Sequence, residues 1–254
     1  MQEPRQLRSN LPFWQTLQDL DYFENHPCYG GLRDDVAGDT CQTIEAFRPL
    51  TADMRVVVIG CGYGRETLDI APRVRHVYGI DVSTKILEKA RRFLTERRVT
   101  NFTPVLASRY ASEIPDGIDL VFSVIVMQHL TRDLVREYVH TLGGKLSPGG
   151  DVVAQFLENE VGIGERDAEL KVYEPNVNWS PWEVVELCRE SGLNFRRLET
   201  YLVTPTALWH WAWFSKSARP TGTANAPDVD RLRKGTRRGI GAARSWLAAR
   251  WWRA

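Results

Sequence analysis

The chain has 254 residues, of which 33 are Lys or Arg, 32 are Asp or Glu, and 43% are hydrophobic. These values are typical of a globular protein with a sizeable core, and they exclude collagen-like, disulfide-dense and mostly disordered chains. The longest apolar run, residues 120–127, is shorter than the roughly 18 residues that a membrane-spanning helix needs. The first ten residues lack a signal-peptide pattern, and the four cysteines form no CxxC pair, so we expect a cytoplasmic location.

The charge is distributed unevenly along the chain. Residues 228–254 carry eight basic and two acidic side chains, a net charge of +6, which leaves −5 on the rest. The tail combines these basic residues with Trp246, Trp251 and Trp252, which predicts an amphipathic segment that contacts a protein partner or the inner face of a membrane. A disordered terminus is the alternative. The Pro-containing residues 217–227 predict a linker before this tail. We expect no nucleic-acid binding, because no basic stripe extends over the body of the chain.

Strand-like and helix-like patterns alternate through the middle of the chain. Apolar runs rich in β-branched residues predict five strands, at residues 55–59, 77–80, 102–106, 120–126 and 151–156. Helical patterns lie between them, near residues 65–72, 84–97 and 131–145. Continuous apolar strands that alternate with helices predict a parallel sheet covered by helices on both faces.

Two further regions flank this alternation. Residues 11–23 and 36–47 predict two helices, and residues 1–49 as a whole predict an N-terminal cover over the domain. Downstream, Ser180 as N-cap and Gly192 as a stop signal predict a helix over residues 182–191. Apolar runs at 195–203 and 207–214, joined by a short turn, then predict a hairpin that ends the sheet.

The sharpest local signal is the sequence VVVIGCGYGRE over residues 56–66. Gly60, Gly62 and Gly64 follow a strand and precede a helix, where glycine lets the backbone turn tightly and approach a ligand. The spacing is G-x-G-x-G, whereas dinucleotide-binding folds use G-x-G-x-x-G. This spacing argues against NAD. A strand–helix turn that needs glycine only for packing is the alternative interpretation.

An acidic residue ends the second predicted strand. Asp81 comes 21 residues after Gly60, within the sequence YGIDVS. An acid at this position can accept hydrogen bonds from the hydroxyls of a ribose. The alternative is that Asp81 or Ser83 caps the following helix, and the two residues can also divide these tasks.

Together these motifs resemble the class I S-adenosylmethionine-dependent methyltransferases. The matching pieces occur in the family's order: VVVIGCGYG (56–64), YGIDVS (78–83), IDLVFSVIVMQHL (118–130), LSPGG (146–150) and the final hairpin. The resemblance spans residues 50–216 and implies an α/β fold. This is a Rossmann-like three-layer sandwich around a seven-stranded, mostly parallel sheet with an antiparallel last strand. It also implies S-adenosylmethionine as cofactor.

The resemblance implies cofactor contacts from Gly60, Cys61, Gly62, Gly64, Glu66, Asp81, Val82, Ile86, Ser108 and Ser123. The glycines would line the methionine and ribose moieties, Asp81 would bind the ribose hydroxyls, and Val82 or Ile86 would flank the adenine. The chain departs from the family pattern at Val58, where an acid is usual. Glu66 or a residue of the N-terminal helices would take that role near the cofactor's amino group. The family often has an Asp after the third strand, where this chain offers Ser108, Arg109 and Tyr110, so the adenine contacts stay open.

His129 is the candidate catalytic residue. It follows the fourth predicted strand, at the end of the sheet that faces the transferable methyl group in this family. An imidazole there can take the proton of an acceptor hydroxyl as a general base. The alternative is that Gln128 and His129 only close the pocket and form local hydrogen bonds.

Acceptor contacts are expected from Tyr29, Gln128, Glu158, Tyr173 and Trp179. Residues 158–179 combine carboxylates with aromatic rings, which suits a sugar, and Tyr22 and Arg33 are further candidates for the cover. A solvated acidic loop with Trp179 folded inward is an equal alternative. A divalent metal is compatible with these acids, although no ligand spacing requires one. We assign no chemistry to His210, which lies in a stripe of tryptophans.

These patterns predict an S-adenosylmethionine-dependent O-methyltransferase. Residues 122–129 are similar to bacterial methyltransferases of glycan and glycolipid synthesis, so a sugar hydroxyl of a polysaccharide or glycolipid is the first acceptor considered. One alternative is O- or N-methylation of a small secondary metabolite. Another is a non-catalytic cofactor-binding scaffold that docks a membrane enzyme. The oligomeric state is left open by the sequence.

Overall fold

The computed structural model describes residues 10–25, 40–159, 177–204 and 207–216. Its strands are β1 (Arg55–Ile59), β2 (His76–Asp81), β3 (Phe102–Leu106), β4 (Ile118–Ser123), β5 (Leu146–Asn159), β6 (Asn194–Thr204) and β7 (Ala207–Ser215). They form one seven-stranded sheet in the order β3-β2-β1-β4-β5-β7-β6. Strands β1 to β5 pair in parallel, and β7 runs antiparallel to both β5 and β6. The expected Rossmann-like sheet with a reversed last strand is confirmed.

The helices in the described residues are α1 (Leu11–Asp19), α2 (Tyr22–Asn25), α3 (Thr40–Glu45), α4 (Arg65–Ile70), α5 (Thr84–Glu96), α6 (Tyr110–Glu113), α7 (Arg132–Lys145) and α8 (Pro181–Glu190). Ser180 caps α8 as predicted, through a reciprocal pair of hydrogen bonds with Glu183. Within the described part of the chain, no helix combines the length and the apolar character needed to cross a membrane. The predicted linker 217–227 and tail 228–254 lie outside the described residues.

Two apolar cores sandwich the sheet, because alternate residues of each buried strand point to opposite faces. Val57 and Ile59 of β1 pack into one core, together with side chains of α1, α7 and α8. Val56 and Val58 pack into the other core, together with side chains of α3, α4 and α5. Both faces of β1 are therefore buried, which explains its uninterrupted apolar sequence.

Several element boundaries differ from the sequence prediction. Strand β4 ends at Ser123 instead of residue 126, because Ile125 adopts a left-handed conformation (φ 55°) that turns the chain. The single helix predicted over 11–23 is divided into α1 and α2 at Asp21, which also has a positive φ (60°). Strand β5 begins at Leu146, five residues earlier than predicted. Helix α6 was not predicted.

Arg48 connects the segment before β1 to residues of β4 and β5. Its guanidinium donates to the carbonyl oxygens of Asp119 (2.8 Å) and Gly149 (3.0 Å) and forms an ion pair with Asp151. The Asp151 side chain is only 1% exposed. A buried carboxylate is costly unless it is paired, so this arginine stabilises the start of β5.

We predict that Arg48→Met lowers the free energy of unfolding by about 3–5 kcal/mol, because it leaves the buried Asp151 carboxylate without its cation. Urea denaturation measures this loss. The matched control is Arg73→Met, since Arg73 pairs with Glu45 at 3.0 Å with both side chains well exposed. Exposed pairs contribute about 0–1 kcal/mol. Equal losses in the two variants would contradict the role given to Arg48.

Candidate functional site

The glycine-rich loop between β1 and α4 forms one wall of a cavity at the carboxyl end of the sheet. Gly60, Gly62 and Gly64 all have positive φ angles (68°, 52° and 96°), which other residues rarely adopt. A Cβ atom on Gly60 would lie 2.3 Å from a methyl carbon of Val126. A Cβ atom on Gly62 would lie 2.9 Å from the ring of Phe23. The loop therefore needs glycine for conformation and for close packing.

Asp81 lies beside this loop at the end of β2. Its Oδ2 accepts a hydrogen bond from the Gly62 backbone N–H (2.8 Å), and its Oδ1 accepts one from Val82 N–H (2.7 Å). Burial raises the pKa of Asp81 to about 6, although these backbone hydrogen bonds act in the opposite direction. Each carboxylate oxygen can accept a second hydrogen bond, so Asp81 can still receive donors from a ligand.

An adjacent ion pair forms the next part of the wall. Arg65 donates from Nε (2.8 Å) and Nη2 (2.5 Å) to the same oxygen, Oε1, of Glu66. Both residues line the cavity, and the Glu66 side chain is buried. A cation and an anion side by side are complementary to a zwitterion, such as the amino and carboxylate groups of an amino acid.

His129 lies across the cavity, after β4. Its ring lines the cavity and its carbonyl oxygen accepts hydrogen bonds from Asn10 Nδ2 (2.8 Å) and Trp14 Nε1 (2.9 Å). The Trp14 and His129 rings are 4.9 Å apart between centroids. Helix α1 therefore fixes the backbone of the candidate base, over a sequence separation of more than one hundred residues.

Gln155 of β5 was missed by the sequence analysis. Its Oε1 accepts from the N–H of the strained Ile125 (2.8 Å), and its Nε2 donates to Gln128 Oε1 (3.1 Å). The Gln128 amide nitrogen in turn lies 3.4 Å from His129 Nε2. This chain of amides holds the segment after β4 in place. A polar residue inside the apolar strand VVAQF was the sequence signal that could have identified it.

Helices α1 and α2 cover the cavity. Leu11, Trp14, Gln18, Tyr22 and Phe23 contribute to its lining. Polar contacts attach this cover to the start of α5. Ser83 Oγ donates to the Asp19 carboxylate, and Lys85 Nζ and Lys89 Nζ donate to that of Asp21 at 3.0 and 2.5 Å. The hydrogen bond from Lys89 is the main cause that lowers the pKa of Asp21.

The cavity has a volume of about 120 Å³. Seven of the predicted site residues meet in its lining: Gly60, Cys61, Gly62, Glu66, Asp81, Val82 and His129. Sequence reasoning missed the contributions of Trp14, Gln18 and Arg65. In the described residues, no group of three His, Cys, Asp or Glu side chains is placed to hold a metal ion.

Other predicted cofactor residues lie away from the cavity lining. Ile86 is buried in a cluster with Tyr63 and Phe93, and Ser108 is exposed at the surface. Ser123 is buried, with its Oγ 3.5 Å from the carbonyl oxygen of Ile59. Gly64 begins α4 and packs against Leu94.

The predicted acceptor residues are separated in the structure. Trp179 is 1% exposed and packs against Phe156, which is the inward-folded alternative. Gln128 is held by Gln155 and does not line the cavity. Glu158, by contrast, pairs with the fully buried His210, whose other ring nitrogen contacts Thr200 Oγ1 (2.8 Å). Tyr29, Arg33 and Tyr173 lie outside the described residues.

Comparison with known proteins adds the activity class. Residues 56–150 match a family model described as a methyltransferase domain. These residues form a methyltransferase domain. No curated protein sequence matches the chain.

Several solved structures share the fold of this domain at low sequence identity. One is the magnesium protoporphyrin IX methyltransferase of Synechocystis PCC 6803, solved with bound SAH (TM-score 0.60, 14% identity, 82% of this chain and 99% of that chain). Another is an S-adenosylmethionine-dependent methyltransferase of Mesorhizobium loti (TM-score 0.56, 18% identity, 68% and 96%). The [4+2]-cyclase SpnF is also similar (TM-score 0.65, 13% identity, 82% and 96%).

These likenesses establish the fold alone, since a cyclase shares it with methyltransferases. The family description and these three titles name no sugar acceptor. The similarity to glycan methyltransferases seen in residues 122–129 therefore has no support from them.

We predict that Gly60→Ala lowers the free energy of unfolding by more than Gly149→Ala does. Both glycines have positive φ (68° and 84°), which costs an L-residue about 1–2 kcal/mol. A new methyl group meets Val126 at Gly60, but nothing lies within 4 Å at Gly149. Thermal and urea denaturation of both variants measure the difference. Equal destabilisation would show that the approach of Val126 to the loop contributes nothing.

Proposed function

We propose that the protein transfers the methyl group of S-adenosylmethionine to a hydroxyl oxygen of an acceptor. The observation that carries this proposal is the composition of the cavity beside the glycine loop. It joins the Arg65–Glu66 pair and the Asp81 carboxylate to the His129 ring. The ion pair suits the methionine end of the cofactor, the carboxylate suits its ribose, and the imidazole suits the proton of the acceptor.

The residues present fit this cofactor. Gly60 and Gly62 line the cavity, so the loop contributes backbone groups to this part of its wall. The Arg65–Glu66 pair can bind the carboxylate and the ammonium of the methionine end, which supports the role predicted for Glu66. Asp81 keeps acceptor capacity for ribose hydroxyls beyond its backbone hydrogen bonds.

When bound, S-adenosylmethionine supplies a methyl group activated by its sulfonium. The work left to the protein is alignment, exclusion of water and removal of the acceptor proton. The amide chain from Gln155 through Gln128 places the Gln128 amide nitrogen 3.4 Å from His129 Nε2. A neutral imidazole has one lone-pair nitrogen, so the hydroxyl proton takes the place of this long contact when the ring acts as a base. Trp14 and Asn10 keep the histidine at the cavity wall during this step.

We further propose which class of acceptor is methylated. A hydroxyl gains most from a neighbouring base, and a sugar hydroxyl of a polysaccharide or glycolipid is the first class to test. Glu158, near the end of β5, is partly exposed and would accept from sugar hydroxyls beside its contact with His210. Small secondary metabolites are the second class. The basic residues 228–254 would hold the enzyme near a membrane or protein partner.

We predict that S-adenosylhomocysteine binds with micromolar affinity, that NAD does not bind, and that the affinity falls as the pH drops through about 6. The reason is that a protonated Asp81 loses acceptor capacity, and burial raises its pKa to about 6. One pH unit below that pKa the affinity should be about tenfold lower. Calorimetric titration between pH 5 and 8 measures the profile.

Asp81→Asn is the control for this profile. It should bind the cofactor weakly at every pH, with the step near pH 6 removed. An affinity of the native protein that is flat across this range would contradict the proposed contact between Asp81 and the ribose. An absence of any binding to the sulfur compounds would overturn the cofactor assignment itself.

We predict that His129→Ala lowers kcat by about 10²–10⁴-fold and leaves the affinity for S-adenosylhomocysteine nearly unchanged, because it removes only the proton acceptor. The rate should be measured with saturating cofactor and an acceptor identified from a panel of sugars. His140→Ala is the matched control, since His140 is exposed on α7. An unchanged rate in His129→Ala would remove this residue from the role of base.

A further inference from the structure

Gln18 of α1 is a buried side chain whose hydrogen bonding is incomplete. It is 8% exposed and lines the cavity. Its Oε1 atom has no hydrogen-bonding partner among the described residues. A buried carbonyl oxygen without a donor is costly, so such atoms are rare unless a ligand completes them. The atom is therefore available to a bound molecule that presents a donor.

The position of Gln18 along α1 indicates which part of the cavity it serves. Trp14, one helical turn earlier, contacts His129 at the methyl-transfer end. Asp19, the next residue, accepts a hydrogen bond from Ser83. Ser83 lies two residues after Asp81, so Gln18 is at the nucleoside end of the cavity. Both Asp81 oxygens accept a backbone N–H, so a ligand with several donors at this end can use Gln18 as an acceptor in addition to Asp81.

We propose that Gln18 Oε1 accepts a hydrogen bond from the adenosine half of the cofactor, either from a ribose hydroxyl or from the adenine amine. This inference rests on the proposed function. It makes α1 part of the binding site rather than only a cover. The cost of the unpartnered carbonyl in the free protein is removed when the cofactor binds, so binding and the docking of α1 support each other.

The test compares Gln18→Met with Gln15→Met, its matched control. Gln15 lies on the same helix, is exposed and is absent from the cavity lining. Gln18→Met should weaken the binding of S-adenosylhomocysteine about tenfold in calorimetry. Its melting temperature without ligand should stay equal or rise, because the buried carbonyl is gone. Gln15→Met should change neither quantity. A residue that only stabilises the fold would instead lower the melting temperature.

Analogues of S-adenosylhomocysteine then identify the donor. The 2′-deoxy and 3′-deoxy compounds each lack one ribose hydroxyl, and the inosine compound lacks the adenine amine. The affinity difference between the native protein and Gln18→Met should vanish for one of the three. A difference that persists with all three analogues overturns the assignment to adenosine.

The two proposals fail in distinguishable ways. Equal affinities of the native protein and Gln18→Met for S-adenosylhomocysteine would overturn the role of Gln18 and leave the proposed function standing. A native protein that does not bind S-adenosylhomocysteine would overturn both.

Discussion

The loop between β1 and α4 is the constraint on which the cavity depends. Its three left-handed glycines let the backbone pass between three separate neighbours: Val126 after β4, Phe23 in α2, and Leu94 in α5. A side chain at any of the three positions would have to displace one of these neighbours. The loop therefore fixes the distance from the sheet to the helices that enclose the ligand.

The opposite wall is held by polar contacts instead of close packing. Ile125 is a β-branched residue in a left-handed conformation, which is unfavourable unless the surroundings enforce it. Gln155 provides that enforcement through the Ile125 N–H, and the same amide holds Gln128 beside His129. The strained backbone of Ile125 is thus held by a hydrogen bond to Gln155 of β5. The same network reaches His129, the candidate base.

The two sides of the cavity differ in how they are built. The glycine loop and Asp81 are built from consecutive residues at the ends of β1 and β2, the usual place for a ligand in an open α/β sheet. The opposite side of the cavity is formed by the segment after β4 and by the N-terminal helices, which have no such local motif. A cyclase and methyltransferases share this architecture, which fits a framework whose chemistry is decided by a few side chains.

The sequence by itself determined the strands, the glycine loop, Asp81 and the reversed hairpin, because apolar periodicity and turn residues act over short distances. It also predicted that His129 lies after β4 at the ligand-binding end of the sheet. Only the tertiary structure decided that Trp179 folds inward, that Ile125 turns the chain, that Gln18 lines the cavity, and that Gln155 holds the segment after β4. An isolated glutamine in a helix or strand has no distinctive spacing. Its role depends on partners brought from distant parts of the chain, as Trp14 and His129 are.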